Sequence, residues 1–240
     1  MADASPGRPP RRRAARGQGE LLRGEILTAA IDLLTETGDE EAVSLRAVAE
    51  RVGVSVPSIY LHFADKQALL DAVCAAVFEA LHVRMRQAAQ GAPHAFEALR
   101  RQGIAYVEFA LENPEHYRIV LMRKHGSEPP GGPDLAIATG AFGYLVESVS
   151  QCVDDGLFEG DATEIALRLW AAAHGVAALL VAKPYFPWPP LADFIDQTIR
   201  MAGLGLLVAS RTGLDCEKAT LDQWRAVAAA VAATQTDTSG

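Results

Sequence analysis

Apolar residues recur at helical spacing along the chain, with no convincing period-two alternation, which predicts an all-α protein. The best-defined stretch is residues 44–66. Leu45, Val48, Ala49 and Val52 share one face behind Ser44, whose side chain suits an N-cap. Gly53 supplies a left-handed residue that ends a helix at little cost, and Val54 plugs the angle that follows. Ser55 is placed to cap a second helix with Pro57 in its first turn, where a missing N–H costs little. Val56 precedes that proline, so the start is free to slip by one residue. Ile59 and Phe63, four apart, should face the core, leaving Val56, Ser58, Tyr60, Leu61 and His62 closer to the outside. Asp65 then looks like the N-cap of a helix running to about residue 85.

Further along, helices are expected over 94–112, about 117–122, 134–154, 163–182, 191–211 and 221–233. Breakers fall at Gly91-Ala92-Pro93 and Asn113-Pro114, with a loop from His125 to Pro133 and a stiff aromatic segment from Lys183 to Pro190. Helices 163–182 and 191–211 are the most apolar. Ile165, Leu169, Ala172, Val176 and Leu180 form one stripe, and Ile195, Ile199, Ala202, Leu206 and Ala209 another. Gly175, Gly203 and Gly205 are costly inside helices unless close packing uses the missing side chain. These stripes close the internal core, join two copies in a four-helix bundle, or do both.

Charge changes the picture. The formal net charge is −8, which argues against a broad basic face for nucleic acid. Residues 20–70 hold four Lys/Arg against nine Asp/Glu, whereas residues 1–19 hold five arginines against one aspartate. That Pro-, Gly- and Ala-rich arm, with Arg11, Arg12 and Arg13 at its centre, is expected to be disordered in free solution. It is either a solubilising tail or an arm reaching DNA phosphates or the minor groove. The three cysteines, Cys74, Cys152 and Cys216, are far apart and odd in number, which suits reduced, buried thiols in a cytoplasm. No uninterrupted apolar run approaches the roughly 20 residues of a membrane span, and no apolar stretch follows the basic N-terminus as in a secretory signal.

Two short helices around a glycine turn put the second where its exposed face can enter a DNA groove. Lys66 opens the next helix, where a cation opposes the helix dipole; a bound phosphate would remove the conflict, and a solvated surface lysine is the plainer alternative. The segment from Glu20 to Leu70 resembles the DNA-binding domain of the TetR (tetracycline repressor) family of bacterial regulators. The matching residues are Ile26-Leu27, Ala29-Ala30, Leu33-Leu34, Gly38, Ser44-Leu45-Arg46, Val48-Ala49, Gly53-Val54-Ser55, Ile59-Tyr60, His62-Phe63, Lys66 and Leu69-Leu70. The resemblance covers about a fifth of the chain. It implies that Tyr60, His62 and Lys66 grip phosphates, with Ser44 and Arg46 as helpers, that Val56, Pro57 and Ser58 lie nearest the bases, and that Ser55 belongs to the same DNA-binding set. Many relatives carry glycine at the position of Pro57. The Val56-Pro57-Ser58 tip offers few hydrogen bonds, so readout leans on Ser58, Arg46 and thymine methyl contacts.

The family also implies a two-fold dimer, joined here through 163–182 and 191–211. Trp170, His174 and Gly175 resemble a Trp-x-x-x-His-Gly C-terminal subtype of that family. Tyr106, Phe109, Tyr117, Phe142, Trp170 and His174 are candidates to line a pocket for a small, mainly apolar effector, although an aromatic at helical spacing is more often core. His174 has no spaced partners for a metal, so neither metal nor cofactor is expected.

The chain then divides into a basic arm (1–19), a helix-turn-helix domain (20–70, with the motif at 44–63), a ligand-binding and dimerisation domain (71–213), and a terminal helix and tail (214–240). The expected function is a cytoplasmic repressor of palindromic operator DNA, released by its effector. Two other readings are an architectural DNA-binding protein without an inducer and an all-α enzyme. No Gly-rich phosphate loop, Gly-x-Ser-x-Gly elbow or His-Glu-x-x-His motif supports the enzyme, and no catalytic residue is assigned.

Overall fold

The computed structural model describes residues 18–121, 140–212 and 218–236. Arg11, Arg12, Arg13, Cys216, the expected loop from His125 to Pro133 and the first residues of the helix expected from Asp134 lie outside them. The described residues form ten α-helices and one 3-10 turn, with no strand among them. The chain groups into two units. Among the described residues the first takes 18–77 and 115–121, and the second takes 78–114 and everything from residue 140.

The first unit begins with α1 (Gln18–Thr37), which stops at Gly38. Gly38 adopts φ 63°, and its amide donates to the Leu34 carbonyl at 2.8 Å. Asp39 caps a 3-10 turn, Glu40–Ala42. Then come α2 (Leu45–Val52), α3 (Val56–Tyr60) and the start of α4 (Lys66–Ala89). Ile26, Leu34, Val43, Val48, Ile59 and Leu69 are fully buried. Each such side chain stabilises the fold by about 1.5–3 kcal/mol relative to exposure.

Two boundaries differ from expectation. The division falls after Val77 rather than after residue 70, because Val73, Cys74 and Val77 on α4 remain buried past the motif. The second concerns α6 (Pro114–Leu121), which groups with the first unit from Glu115 onward. There Tyr117 is fully buried and His116 Nε2 meets Thr35 Oγ1 at 2.6 Å. Pro114 starts α6 rather than merely breaking the chain, since the first helical position needs no N–H.

The second unit comprises the end of α4, α5 (Ala95–Glu112), α7 (Ala141–Asp154), α8 (Ala162–Ala182), α9 (Leu191–Thr212) and α10 (Leu221–Thr236). Helix α4 reaches Ala89 and α10 reaches Thr236, each beyond the expected end. Helix α5 packs on α7, α8 and α9, and α8 packs on α7 and α9. Close approach of α5 and α9 depends on glycine. A Cβ at Gly103 would lie 2.8 Å from Ile199, and one at Gly203 would lie 3.1 Å from Phe96. Arg100 ties the same two helices by binding both Glu97 and Asp196. Hydrogen bonds from Arg100 and then Arg101 hold the Glu97 carboxyl down to a pKa of about 2.

The apolar stripes of α8 and α9 are only partly covered within the chain: Leu169, Ala172, Ala202 and Leu206 are half-buried and Ala209 is exposed. Ile165, Val176, Leu180, Ile195 and Ile199 are all buried within the chain. A helical stripe reports that a face is covered, not which chain covers it. The exposed faces of the same helices carry Leu167, Leu179, Met201 and Leu204, with Leu179 55% and Met201 69% exposed. Gly175 and Gly205 have open space where a Cβ would be. Helix α8 is long and apolar enough to cross a membrane by length and composition. It nevertheless carries Glu164, Arg168 and His174, and one face is buried against α5, α7 and α9, as in a core helix.

Candidate DNA-binding surface

The geometry of the first unit follows from short-range devices. Ser44 Oγ accepts from the Ala47 amide at 3.1 Å and starts α2. Gly53 ends it at φ 76°, ψ 36°, and the amides of Gly53 and Val54 both donate to the Ala49 carbonyl. A residue with a Cβ would be strained at that φ. Asp65 Oδ1 accepts from the Ala68 amide at 2.8 Å and caps α4. Ile59 and Phe63 anchor α3 to the core, as the spacing predicts.

At Ser55 the structure corrects the sequence reading. Ser55 occupies the N-cap position in extended geometry, yet its side chain caps no amide. The reason is local. Pro57 has no N–H, and the Ser58 amide already donates to the Ser55 carbonyl at 2.9 Å. The Ser55 hydroxyl therefore turns to the Ser58 hydroxyl at 2.8 Å. Ser58, expected near the bases, is thus held by an internal hydrogen bond and half-buried.

Around this tip Pro57 and Arg46 are exposed, Ser44, Val56 and His62 are half-buried, and Tyr60 is 55% exposed. Leu61, which the resemblance did not single out, is 84% exposed in the turn after α3. Its signal was available: it neighbours Tyr60 and is off the Ile59–Phe63 face. His62 lies near the start of α1, its Cε1 3.9 Å from a Cβ built on Gly19.

Lys66, Arg51 and Arg23 are already engaged within the chain. Lys66 Nζ meets Glu41 Oε2 at 3.1 Å. This carboxylate offsets the unfavourable placement of a lysine at a helix start, a partner that the sequence reading assigned to phosphate. Arg51 makes a two-pronged contact with Glu36, at 2.8 and 2.6 Å, which lowers the Glu36 pKa and raises that of Arg51. Arg23 lies over the Phe63 ring at 5.2 Å. Arg46 makes no ion pair among the described residues.

In the second unit, four of the six residues expected at an effector site come together. The Trp170 indole N–H donates to the Tyr106 hydroxyl at 3.3 Å, and that hydroxyl meets His174 Nδ1 at 3.0 Å. Phe142 packs on Trp170 with ring centroids 5.8 Å apart. Burial pushes the His174 pKa down, favouring neutral imidazole. Phe109 is buried on α5 of the same unit. Tyr117 is on α6, which groups with the first unit. Two clefts of this unit lie elsewhere: one of about 370 Å³ lined by Phe96, Glu97, Arg100, Asp196, Arg200 and Leu204, and one of about 170 Å³ beside Phe158 and Ile165. Among the described residues no group of three or more metal-ligating side chains occurs. Cys74 and Cys152 are buried and unbridged, and burial raises the Cys152 pKa to about 11.

Comparison with known proteins supplies the family. Residues 26–73 match the family model described as bacterial regulatory proteins, tetR family. Residues 99–202 match that of a tetracyclin repressor-like C-terminal domain. The transcriptional activator FasR of Mycolicibacterium smegmatis is 30% identical over 161 residues, 67% of this chain and 72% of that protein. The class A tetracycline repressor from transposon 1721 in Escherichia coli is 29% identical over 156 residues, and that alignment spans 62% of each protein. A solved structure from Rhodococcus sp. RHA1 has a TM-score of 0.65 at 29% identity, covering 78% of this chain and 93% of the other. A TetR-family regulator from Marinobacter aquaeolei VT8 shares the fold, with a TM-score of 0.63 at 20% identity over 80% of this chain and 98% of its own.

Proposed function

This chain belongs to the TetR family of bacterial transcriptional regulators, and on that premise we propose that it binds a palindromic operator as a homodimer, represses transcription in the cytoplasm, and is released by a small, mainly apolar effector. Family membership also sets aside the enzyme reading. The observation that carries the proposal is the exposed end of α3. The Gly53 turn and the buried Ile59–Phe63 pair hold Val56, Pro57, Ser58 and Tyr60 at the surface, with His62 and Lys66 flanking them.

Tyr60, His62 and Lys66 bind phosphates in this reading, helped by Ser44, Arg46 and the N-terminal arm with Arg11, Arg12 and Arg13. Ser55, Val56, Pro57 and Ser58 approach the base edges. One helix of five residues reads few base pairs, so two copies about 34–36 Å apart are needed to reach successive major grooves. The free faces of α8 and α9, with Leu167, Leu179, Met201 and Leu204, support dimerisation, and the open sides of Gly175 and Gly205 allow close approach. The Tyr106–Trp170–His174 cluster with Phe142 and Phe109 supports an effector site in the second unit, and binding there shifts the population of dimers with operator-compatible spacing.

Selection of bound DNA from a random pool tests the reading. A regulator of this kind prefers one short palindrome over random DNA by roughly 10³-fold or more at physiological salt. Equal affinity for all sequences would support the architectural alternative. A reporter driven from the selected operator fixes the sign of regulation.

A further inference from the structure

Gln102 on α5 is a fully buried polar residue, one helical turn before Tyr106 on the same face. Its side-chain amide donates to Ser148 Oγ on α7 at 2.9 Å. The single Ser148 hydroxyl proton goes to the Tyr144 carbonyl at 3.0 Å. Ser148 Oγ must therefore accept from Gln102, which fixes the carboxamide orientation with Nε2 toward Ser148. Gln102 Oε1 is left as a buried acceptor without a protein partner.

Such an atom is unusual here, because the neighbouring polar groups pair among themselves. The indole of Trp170 donates to Tyr106, and Tyr106 meets His174. Buried polar atoms are nearly always paired, and an unpaired one in a native core calls for a functional explanation. A buried oxygen acceptor without a partner suits a donor. It repels a carboxylate and gains nothing from an ether, and no cation is recorded bonding to it.

We propose that Gln102 is the polar anchor of the effector site in the α5–α7–α8 core, and that it selects an apolar molecule bearing a neutral hydrogen-bond donor, a hydroxyl or an N–H. This deepens the effector reading above and rests on it.

The test uses the full chain and three matched probes: hexan-1-ol, its isomer methyl pentyl ether, and hexanoate at neutral pH. Binding is measured by ligand-observed NMR for the wild type, Gln102→Leu and Gln102→Met. The alcohol should bind about tenfold more tightly than the ether or hexanoate, the usual scale of one satisfied buried hydrogen bond. Both variants should reduce that preference to about twofold or less and leave the ligand-free Tm unchanged or higher, since they remove an unpaired acceptor. Equal binding of alcohol and ether, or a preference that survives both variants, overturns the donor inference and leaves the effector site standing. A lower Tm in both variants identifies Gln102 as a structural group paired with water and likewise overturns it. If no probe binds the wild type, the effector reading for this core falls with it.

Discussion

The DNA-reading unit and the C-terminal unit are both helical, yet different interactions set their geometry. Helices α2 and α3 are eight and five residues long, below the roughly 12–15 residues at which an isolated helix becomes even marginal. Ser44 and Gly53 fix where α2 starts and stops, Asp65 starts the helix that follows α3, and a few buried side chains hold the short helices down. In the C-terminal unit the helices run to 21 and 22 residues. There the decisive contacts join residues distant in sequence: Gly103 with Ile199, Arg100 with Asp196, Tyr106 with His174. A surface built by short-range rules can be read from a few consecutive residues, whereas one built by long-range packing cannot.

The largest effect should come from removing the anchor of α3. Ile59→Ala empties a fully buried site and should cost about 2–5 kcal/mol. Operator binding should disappear, and hydrogen exchange should quicken in the first unit while α5, α7 and α8 stay protected. Uniform loss of protection in both units would break the comparison.

Next is the pair of faces on α8 and α9. Leu179→Glu combined with Leu204→Glu should convert dimer to monomer in sedimentation equilibrium, weakening association by about a hundredfold or more without loss of helicity. Val176→Glu, on the buried face, should instead unfold the second unit. If the exposed pair leaves the dimer intact, the interface lies elsewhere.

Within the reading surface, Lys66→Ala should weaken binding to every sequence about five- to tenfold and lower the salt slope by about one. Ser58→Ala should change the preference among operators more than the overall grip. Identical behaviour of the two would erase the distinction between positioning and reading residues.

A smaller effect follows from pH. Burial lowers the pKa of His116 in the first unit and of His174 in the second. Each is favoured neutral when folded and takes up a proton near pH 6.5 when unfolded. The stability they confer is therefore complete above about pH 6.5 and is lost as pH falls below it. Tm should drop between pH 7.5 and 5, and His174→Phe should flatten that drop only for the second unit. Glu97, with a folded pKa of about 2 against an ordinary 4.5, confers stability that is present above about pH 4.5 and is lost mainly below this range, as pH falls toward 2.

The smallest change is Glu41→Gln, which frees Lys66 from its internal partner. An exposed pair of this kind is worth about 0.2–1 kcal/mol, so affinity for random DNA should rise about two- to threefold. No rise would mean that Glu41 does not compete with phosphate.

The legibility of each region follows from the same contrast. Ser44, Gly53, Ile59, Phe63 and Asp65 were readable because a cap, a left-handed turn or an i, i+4 pair is complete within a few residues. Ser55 was misread even so, since its capping role depended on which amides Pro57 and Ser58 left open. The clustering of Tyr106, Trp170, His174 and Phe142 was expected only as a set of scattered aromatics, and Tyr117 fell in the other unit. Gln102 gave no signal at all, because a lone glutamine in a helix looks like any surface residue until its burial is known.

By itself the sequence determined that the chain is helical, where most helices end, and that residues 44–66 form a groove-reading motif, because these depend on propensity and spacing within a turn or two. Tertiary structure alone decided which faces of α8 and α9 remain free, that Glu41 occupies Lys66, and that Gln102 is buried with an unpaired oxygen. Periodicity reveals that a face is apolar; only packing in three dimensions selects the partner that covers it.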